Sequence, residues 1–315
     1  MSITPGFKSK RRLLLSAIKR PADTKGTNYI SAGAPAQAML TKGLTVDPLV
    51  TEQISRDLDD GLNGGQPVIH VNEMINITAP IEVAGSGAAN TPVAFASLLQ
   101  MAGYDVDTTD PSEVSYNRIL NAADELDGTN HFHWENMYHA LLAGKCTLSI
   151  AGKIGELMYI TAEIKGIYGD TVELAIPNGD FSAYTTPLHM SQANTQFTLD
   201  GQALNLYEFE ESLNNTIEYD EGTEVKQIFI DDWSPEGRFL IEAPSLSTFD
   251  PFAILKANTQ MPYTLTHGTA PGQIWDQRSD AIQLLSVKSG EYKGKQCWDL
   301  SYRVLRGSDT VFRSR

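Results

Sequence analysis

Three separate segments alternate apolar and polar side chains, and this alternation limits the fold more than any other feature. A β-strand places successive side chains on opposite faces of its sheet, so each segment predicts a strand with one buried and one wet face. Fully buried parallel strands would need continuous apolar runs instead. The sequence therefore predicts antiparallel sheets and a mainly β (β-rich α+β) fold class. The predicted buried positions are Ile75, Ile77, Ala79, Ile81, Val83, Met158, Ile160, Ala162, Ile164, Trp298, Leu300, Tyr302 and Val304.

Two helices interrupt this pattern, one within "ANTPVAFASLLQMAG" and one within "STFDPFAILKANTQMP". In each stretch, a residue type that caps helix N-termini comes just before a proline, which is favoured in the first helical turn. Glycine and proline are also the usual stop signals. The predicted boundaries are Asn90 or Thr91 before Pro92, with Gly103 as the end, and Thr248 or Asp250 before Pro251, with Pro262 as the end.

The two helical stretches belong to an internal repeat, because each follows a strand that ends in Ile-Glu. Ile81-Glu82 lies 160 residues before Ile241-Glu242, and Pro92 lies 159 residues before Pro251. Further along, Gly155-Glu156 lies 135 residues before Gly290-Glu291. Matching order at such distances indicates two tandem modules. Each module is predicted to consist of packed antiparallel sheets that form a barrel or sandwich with one flanking helix.

The repeat also gives the predicted domain boundaries. Residues 1–30 form a basic N-terminal arm, residues 31–180 the first module and residues 190–315 the second module. The offset falls from 160 to 135 after the helix, so the first module holds about 25 extra residues. We place them in an extra exposed loop at about 104–130, which is rich in Asp, Thr and Asn.

The charge is unevenly distributed along the chain. Residues 1–20 hold six Lys/Arg and no acid, and residues 288–315 hold seven Lys/Arg and three acids. The part between them carries 11 basic and 36 acidic residues. An acidic body repels nucleic acid, whose binding depends on Lys and Arg that displace counterions. Acid-rich surfaces also serve solubility alone. No stretch reaches the ~20 apolar residues of a membrane span, and the start has no cleavage site of a secretory signal, so we expect a soluble protein.

Candidate chemical sites are weak. Gly85-Ser86-Gly87 lacks the third glycine of a dinucleotide fingerprint and the Gly-Lys-Ser/Thr of a P-loop, and its counterpart "APSLST" has no glycine. Cys146 and Cys297 lie in apolar runs without metal spacing, which favours buried thiols. His131, His133, His139 and Glu135 could form a metal cluster, but a hairpin with the histidines on its solvent side explains them better. The sequence holds no nucleophile signature such as GxSxG, so no enzyme and no cofactor are predicted.

Seven segments together resemble the major tail tube protein of long-tailed, non-contractile bacteriophages (siphophages), in the same order and over nearly the whole chain. They are "RRLLLSAIKR", "DPLVTEQISRDLDDG", "EVAGSGAANTPVAFASLLQMAG", "AGKCTLSIAGKIGELMYITAEIKGIYG", "ANTQFTLDGQALNLYEFEESLNNTIEY", "IEAPSLSTFDPFAILK" and "LSYRVLRGSDT". The closing "GSDTVFRSR" is more basic than the family pattern. The resemblance implies a virion protein of the tail, made in the host cytoplasm. Its rings would stack into a tube through which the genome leaves the particle.

The same resemblance implies partners and site residues. Tail tubes of this family are commonly built from six modules per ring, and three copies of a two-module chain would complete such a ring. We therefore expect a homo-oligomeric trimer with pseudo-sixfold symmetry rather than a hexamer. Tape measure and tail-end proteins are implied partners, and genomic DNA would pass without specific binding; no membrane partner is expected. The candidates for the lumen wall are Glu82, Glu163, Glu242 and Asp299, and the candidates for contacts between rings in the arm are Lys8, Lys10, Arg11 and Arg12.

Two other classes of protein stay open at this point. One is the inner tube of a contractile tail or a type VI secretion system, which would share the fold; tandem duplication and the absence of a sheath partner would distinguish the proposed tail tube from it. The other is a β-sandwich of the tail tip that binds a receptor or carbohydrate, for which clustered aromatic residues are expected. The four tryptophans are instead scattered along the chain.

Overall fold

The computed structural model describes residues 10–56, 58–59 and 64–315, and these residues form nineteen strands and two short helices. The elements up to residue 173 are β1 (Arg12–Ile18), β2 (Gln37–Met39), β3 (Thr45–Ser55), β4 (Val68–Glu82), α1 (Ala96–Met101), β5 (Tyr104–Asp107), β6 (Val114–Arg118), β7 (Gly128–Trp134), β8 (Met137–Lys153) and β9 (Tyr159–Glu173). The elements from residue 195 are β10 (Thr195–Leu199), β11 (Gln202–Ala203), β12 (Leu206–Ser212), β13 (Thr216–Glu221), β14 (Lys226–Asp232), β15 (Glu236–Glu242), α2 (Pro251–Ala257), β16 (Gln260–His267), β17 (Trp275–Tyr292), β18 (Lys295–Val304) and β19 (Val311–Ser314). The protein is mainly β, as predicted.

Eight strands form one antiparallel ladder in the order β3-β4-β9-β8-β12-β15-β18-β17. Its first four strands lie within residues 45–173 and its last four within residues 206–304, which we call the first and second halves. The two sets meet where β8 pairs with β12, with Ser149 opposite Ser212 and Lys153 opposite Glu208.

β8 and β17, the two longest strands, extend beyond the eight-stranded sheet and pair there with further strands. The first part of β8 pairs with β7, β7 pairs with β1, and β1 pairs with β2. The first part of β17 pairs with β16 and with β19, and β16 pairs with β10. The β5–β6 hairpin joins the other edge of β19. β13 and β14 form a separate two-stranded sheet.

The alternating segments lie where the pattern predicts. Ile75, Ile77, Ala79 and Ile81 on β4 are buried, and Glu82 on the other face is not. All other predicted apolar positions of the three segments are buried too. They belong to a single large core cluster that also takes in side chains of β1, β7, β10 and β16. Cys146 and Cys297 are buried free thiols, as predicted.

The helix predictions have different outcomes. α2 begins as predicted, with Asp250 as the N-cap and Pro251 in its first turn, but it ends at Ala257 because Asn258 adopts the left-handed conformation. Pro262 lies in β16, so the predicted stop is wrong. α1 begins only at Ala96 and has no side-chain cap, so the predicted caps are wrong there. Among the described residues, no helix is long and apolar enough to cross a bilayer.

Two segments are more regular than expected. Residues 12–18, placed in the basic arm, are strand β1, whose Leu13 and Leu14 are buried. Residues 104–130 are not an exposed loop throughout, because they hold β5, β6 and the first residues of β7. Tyr104, Val114 and Tyr116 of this region are buried. Its polar residues mark the turns, whereas its few large apolar residues enter the core.

The repeat spacing also needs one correction. Ile81-Glu82 and Ile241-Glu242 both end their strands, β4 and β15, as the alignment requires. Gly155, in contrast, lies between β8 and β9 with φ 91°, whereas Gly290 lies inside β17. The connection between β17 and β18 instead contains Gly294, with φ 78°. Glycine is favoured at both turns because side chains are strained at positive φ.

Candidate functional site

The four predicted wall residues lie on one face of the eight-stranded sheet, which we call the polar face. Residues opposite each other in a ladder share a face, and so do residues two apart on a strand. Glu82 is opposite Tyr159, which is four positions before Glu163 on β9. From Tyr159 the register passes through β8, β12 and β15 to Ser301, two positions from Asp299. Glu242 follows Arg238 by four residues on β15, which places it on the same face.

Basic side chains neutralise two of these four carboxylates. Arg238 lies between Asp299 and Glu208, with nitrogen–oxygen distances of 3.2 and 2.9 Å. Lys295 Nζ lies 2.9 Å from a Glu242 oxygen. Hydrogen bonds from Lys295, Tyr207 and Asn205 lower the pKa of Glu242 to about 2. Glu242 is therefore ionised at neutral pH, and both carboxylates have a basic partner.

The other two carboxylates are less engaged. The Tyr159 hydroxyl donates to Glu82 at 3.4 Å, and the Lys42 ammonium donates to the same hydroxyl at 3.1 Å. Glu163 is exposed and has no hydrogen bond or ion pair within the described part of the chain. A third basic residue, Lys153, pairs with Glu208 at 2.7 Å. The polar face therefore carries mixed charge, because Lys153, Arg238 and Lys295 lie among its carboxylates.

The arm candidates have separate environments. Lys8 lies outside the described residues, and Lys10 is exposed. Arg11 pairs with Glu135 at 3.1 Å, on the turn between β7 and β8. The Arg12 guanidinium donates to the Leu44 carbonyl and lies 5.0 Å from the Trp134 ring centroid. Arg12 therefore holds β1 against its own sheet.

The histidine hairpin exists, but its predicted solvent side is wrong. β7 and β8 form the hairpin, yet His131, His133 and His139 are all buried. Burial lowers the pKa of all three, to about 4 for His131 and His133. His131 Nε2 lies 2.7 Å from Asn28 Oδ1, so the segment between β1 and β2 covers this side. No group of three or more His, Cys, Asp or Glu suited to a metal ion occurs among the residues that the structure describes.

The glycine-rich loop is a packing contact between the two halves. The Gly87 amide donates to the Gly272 carbonyl at 2.8 Å, and the Gly85 carbonyl accepts from Thr185 Oγ1 at 2.8 Å. A Cβ on Gly85 would lie 2.2 Å from the Gly272 oxygen. Glycine at position 85 permits this close approach of two backbones. The Gly87 amide is occupied, which argues further against a phosphate site.

One buried carboxylate escaped the sequence analysis. Glu211 lies on the core side of β12 and is fully buried. Tyr263 and Tyr302 donate to one of its oxygens at 2.6 Å, and Gln277 and Thr310 donate to the other at 2.9 and 2.7 Å. Burial raises the pKa of Glu211, and the four hydrogen bonds oppose that rise. Its position in the sequence offered a signal, because Tyr207, Phe209 and Glu211 occupy alternate positions of β12 and all three are buried.

No protein-family model matches the chain, and no curated protein sequence matches it significantly. The resemblance to tail tube proteins therefore stays a prediction carried by the quoted segments.

Proposed function

We propose that this chain is a structural protein whose copies join edge to edge into rings, and that stacked rings form the tail tube of a long-tailed, non-contractile phage. The observation that supports this most is the β8–β12 pairing. It joins two four-stranded sets into one sheet in the same order, β3-β4-β9-β8 followed by β12-β15-β18-β17. A junction that works once within the chain can be repeated between chains.

The two halves support a tandem duplication, because their elements correspond in order and in pairing. β1 pairs with β7 as β10 pairs with β16, and β4 pairs with β9 as β15 pairs with β18. The corresponding elements are β1 and β10, β2 and β11, β3 and β12, β4 and β15, α1 and α2, β7 and β16, β8 and β17, and β9 and β18. Each unit combines four strands of the large sheet with a second ladder that packs on the same core, which fits the proposed sandwich-like module.

Both ends of the eight-stranded sheet offer an unused edge. Within the described residues, β3 has a ladder only with β4, and the part of β17 after Gln283 has a ladder only with β18. Exposed strand edges are templates for pairing with another chain. Edge pairing that continues through successive copies closes into a ring when the rotation fits. Three copies would supply six four-stranded units, so we propose a trimer with pseudo-sixfold symmetry.

In such a ring the polar face would line the channel, with Glu82, Glu163, Glu242 and Asp299 on it. Its mixed charge suits passing DNA, because a uniformly basic wall would hold the phosphate backbone through counterion release. Wall charges act over only ~8 Å at physiological salt, so the effect is confined to a narrow bore. The tape measure protein, tail-end proteins and a place in the virion tail follow from the proposal as partners and location.

Electron microscopy with a mass measurement tests the proposal. We expect the purified chain at high concentration to form rings with a central hole, or tubes. A ring of three copies has a mass of about 104 kDa, three times the 34.5 kDa of one chain. Rings of six chains would contradict the trimer. Dispersed monomers at every concentration and salt condition would contradict the proposed function itself.

A further inference from the structure

The junction inside the chain serves as a template for a junction between chains. β8 and β12 pair with Ser149 opposite Ser212 and Ala151 opposite Glu210. Equivalent ladder positions follow from the pairs that each strand makes inside its own unit. Ser149 corresponds to Lys288 on β17, and Ser212 corresponds to Asp47 on β3. Repeating the junction would therefore set Lys288 of one copy opposite Asp47 of the next.

The internal junction has a second component, the β13–β14 hairpin. In the chain, β13 follows β12 and β14 precedes β15. The hairpin that they form packs on β8 and β9 of the first unit. Its residues Ile217, Ile228 and Ile230 form a buried cluster with Ala143 and Ile167. A strand junction and a hairpin that clamps the neighbouring sheet thus occur together.

The corresponding hairpin of the first unit leaves its apolar side chains exposed. In the second unit, β13 and β14 lie in sequence between β12 and β15. The corresponding position in the first unit is the distal half of the β3–β4 hairpin, residues 50–55 and 68–73. Ile54 and Ile69 face each other across its ladder, yet they are 52% and 50% exposed. Val68 is 40% exposed. Apolar side chains that are buried on one hairpin are exposed on its counterpart.

The second unit contains the surface that corresponds to the one covered by β13 and β14. Ile164 and Tyr302 are equivalent because they pair with Ile77 and Gly237, so Ile167 corresponds to Leu305. Leu305 lines an open groove of about 630 Å³, together with Trp233 and Pro235. Leu120, which is 74% exposed, lines the same groove.

Charge is complementary where the strands meet. In the groove, Arg303 and Arg306 are accompanied by Asp231, Asp232 and Asp309, and Arg303 pairs with Glu236, so the groove offers apolar contacts rather than a charge match. Lys288 and Asp47 are exposed, and within the described residues neither has an ion pair. Opposite charges directly across a ladder stabilise the pairing of the strands.

We propose that the distal β3–β4 hairpin of one copy docks into the Leu120–Leu305 groove of a second copy, while Asp47 faces Lys288 where β3 meets β17. The occupant is thus a second copy of this chain, and the inference rests on the proposed edge-to-edge assembly. It adds to that assembly a defined register and a clamp within one ring.

A disulfide tests the register. A variant carrying Asp47→Cys and Lys288→Cys should form covalent dimers and larger multiples of the chain when the assembled protein is mildly oxidised. The reason is that Cβ atoms opposite each other in a ladder lie about 4.5–5.5 Å apart. Asp47→Cys with Ser289→Cys is the matched control, since position 289 faces the opposite side of β17. Both native thiols are buried, so background cross-linking should be low.

A charge substitution tests the clamp. Ile69→Asp would bury a carboxylate in a groove that already holds Asp231, Asp232 and Asp309, and should raise the concentration at half assembly by more than about tenfold. The position is exposed in the single chain, so the unfolding temperature should stay unchanged. Leu246→Asp, at an equally exposed site outside the junction, should leave assembly unaltered.

The outcomes separate the inference from the proposed function. Rings that form without the 47–288 cross-link, or that tolerate Ile69→Asp, would overturn this junction and leave the tube proposal standing. A native chain that never assembles would overturn both. Cross-linking of the 47–289 control as efficiently as the 47–288 pair would also overturn the register.

Discussion

The two helices occupy corresponding places in the two halves but are held in different ways. α1 and α2 each follow a strand that ends in Ile-Glu, and each packs against the long strand that comes later, β8 or β17. Leu98, Leu99 and Met101 of α1 are fully buried, whereas Pro251 is the one buried residue of α2. Similar placement in the two halves therefore does not mean equal burial.

The difference lies in what covers each helix. β1 and β5 pack on α1 in addition to β8, and α2 has no cover of this kind within the described residues. The side chain of Asn215 donates to the Ala102 and Cys146 carbonyls at 3.0 and 2.9 Å, which fixes the end of α1. α2 relies on its own sequence instead, since Asp250 accepts from the Phe252 and Ala253 amides at 3.0 Å each. Tertiary packing stabilises α1, and local capping stabilises α2.

The largest expected effect is at the core of α1. Leu98→Ala should lower the free energy of unfolding by about 3 kcal/mol, because it removes a fully buried side chain and leaves a cavity. Leu255→Ala, at a half-buried position of α2, is the matched control and should cost less than about 1.5 kcal/mol. Urea denaturation of both variants measures this difference. Equal losses would break the distinction between a packed and a capped helix.

The contact at the end of α1 comes next. Asn215→Ala should destabilise the protein by about 2 kcal/mol, since the buried Cys146 carbonyl then loses its side-chain partner. Asn214→Gly is the control, because glycine tolerates the φ of 49° at this position and only the exposed hydrogen bond from Asn214 to the Ser234 carbonyl is lost. Chemical denaturation under identical conditions compares the two. A loss at position 214 as large as that at 215 would show that the contact does not matter.

The cap of α2 should have a smaller effect. Asp250→Ala removes the acceptor of two amide hydrogen bonds, which typically costs about 1 kcal/mol at a helix N-cap. Thermal unfolding followed by circular dichroism should show a modest fall in the unfolding temperature. Asp250→Asn keeps an acceptor and should restore most of the stability; if it does not, the capping role is wrong.

The smallest effect is expected at the cap that the sequence predicts and the structure lacks. Thr91 lies outside α1, which begins at Ala96. Thr91→Ala should therefore change the free energy of unfolding by less than about 0.5 kcal/mol, as expected for a surface substitution. A loss near that of Asp250→Ala would show that α1 begins earlier in solution.

These cases show what local sequence can predict. Alternation predicts the strands that contain Ile75, Ile160 and Leu300, because one buried face demands a period of two. The start of α2 is equally local, since the cap and the proline lie next to the helix. α1 begins late because the Val93 amide donates to the Tyr116 hydroxyl, at 2.8 Å, instead of joining a helical turn. That partner lies in another strand, so no local pattern could predict it.

The candidate site follows the same division. Strand alternation alone correctly groups Glu82, Glu163, Glu242 and Asp299 as non-core residues of their strands. Their common face and their ion pairs depend on which strands are neighbours, as with Arg238 between β12 and β18. His131 is covered by Asn28, which lies about 100 residues earlier in the chain. Contacts between distant segments decide what alternation leaves open.

The pairing of β19 with β6 has a consequence for the order of folding. Phe312 lies opposite Tyr116, so the β5–β6 hairpin completes its ladder with a strand made about 200 residues later. At a synthesis rate of ~5–20 residues per second, that partner emerges from the ribosome on the order of ten to forty seconds after the hairpin. Until then, an edge of the first half stays open while the second half is still being made. The two halves therefore finish folding together, although each has its own strands and helix.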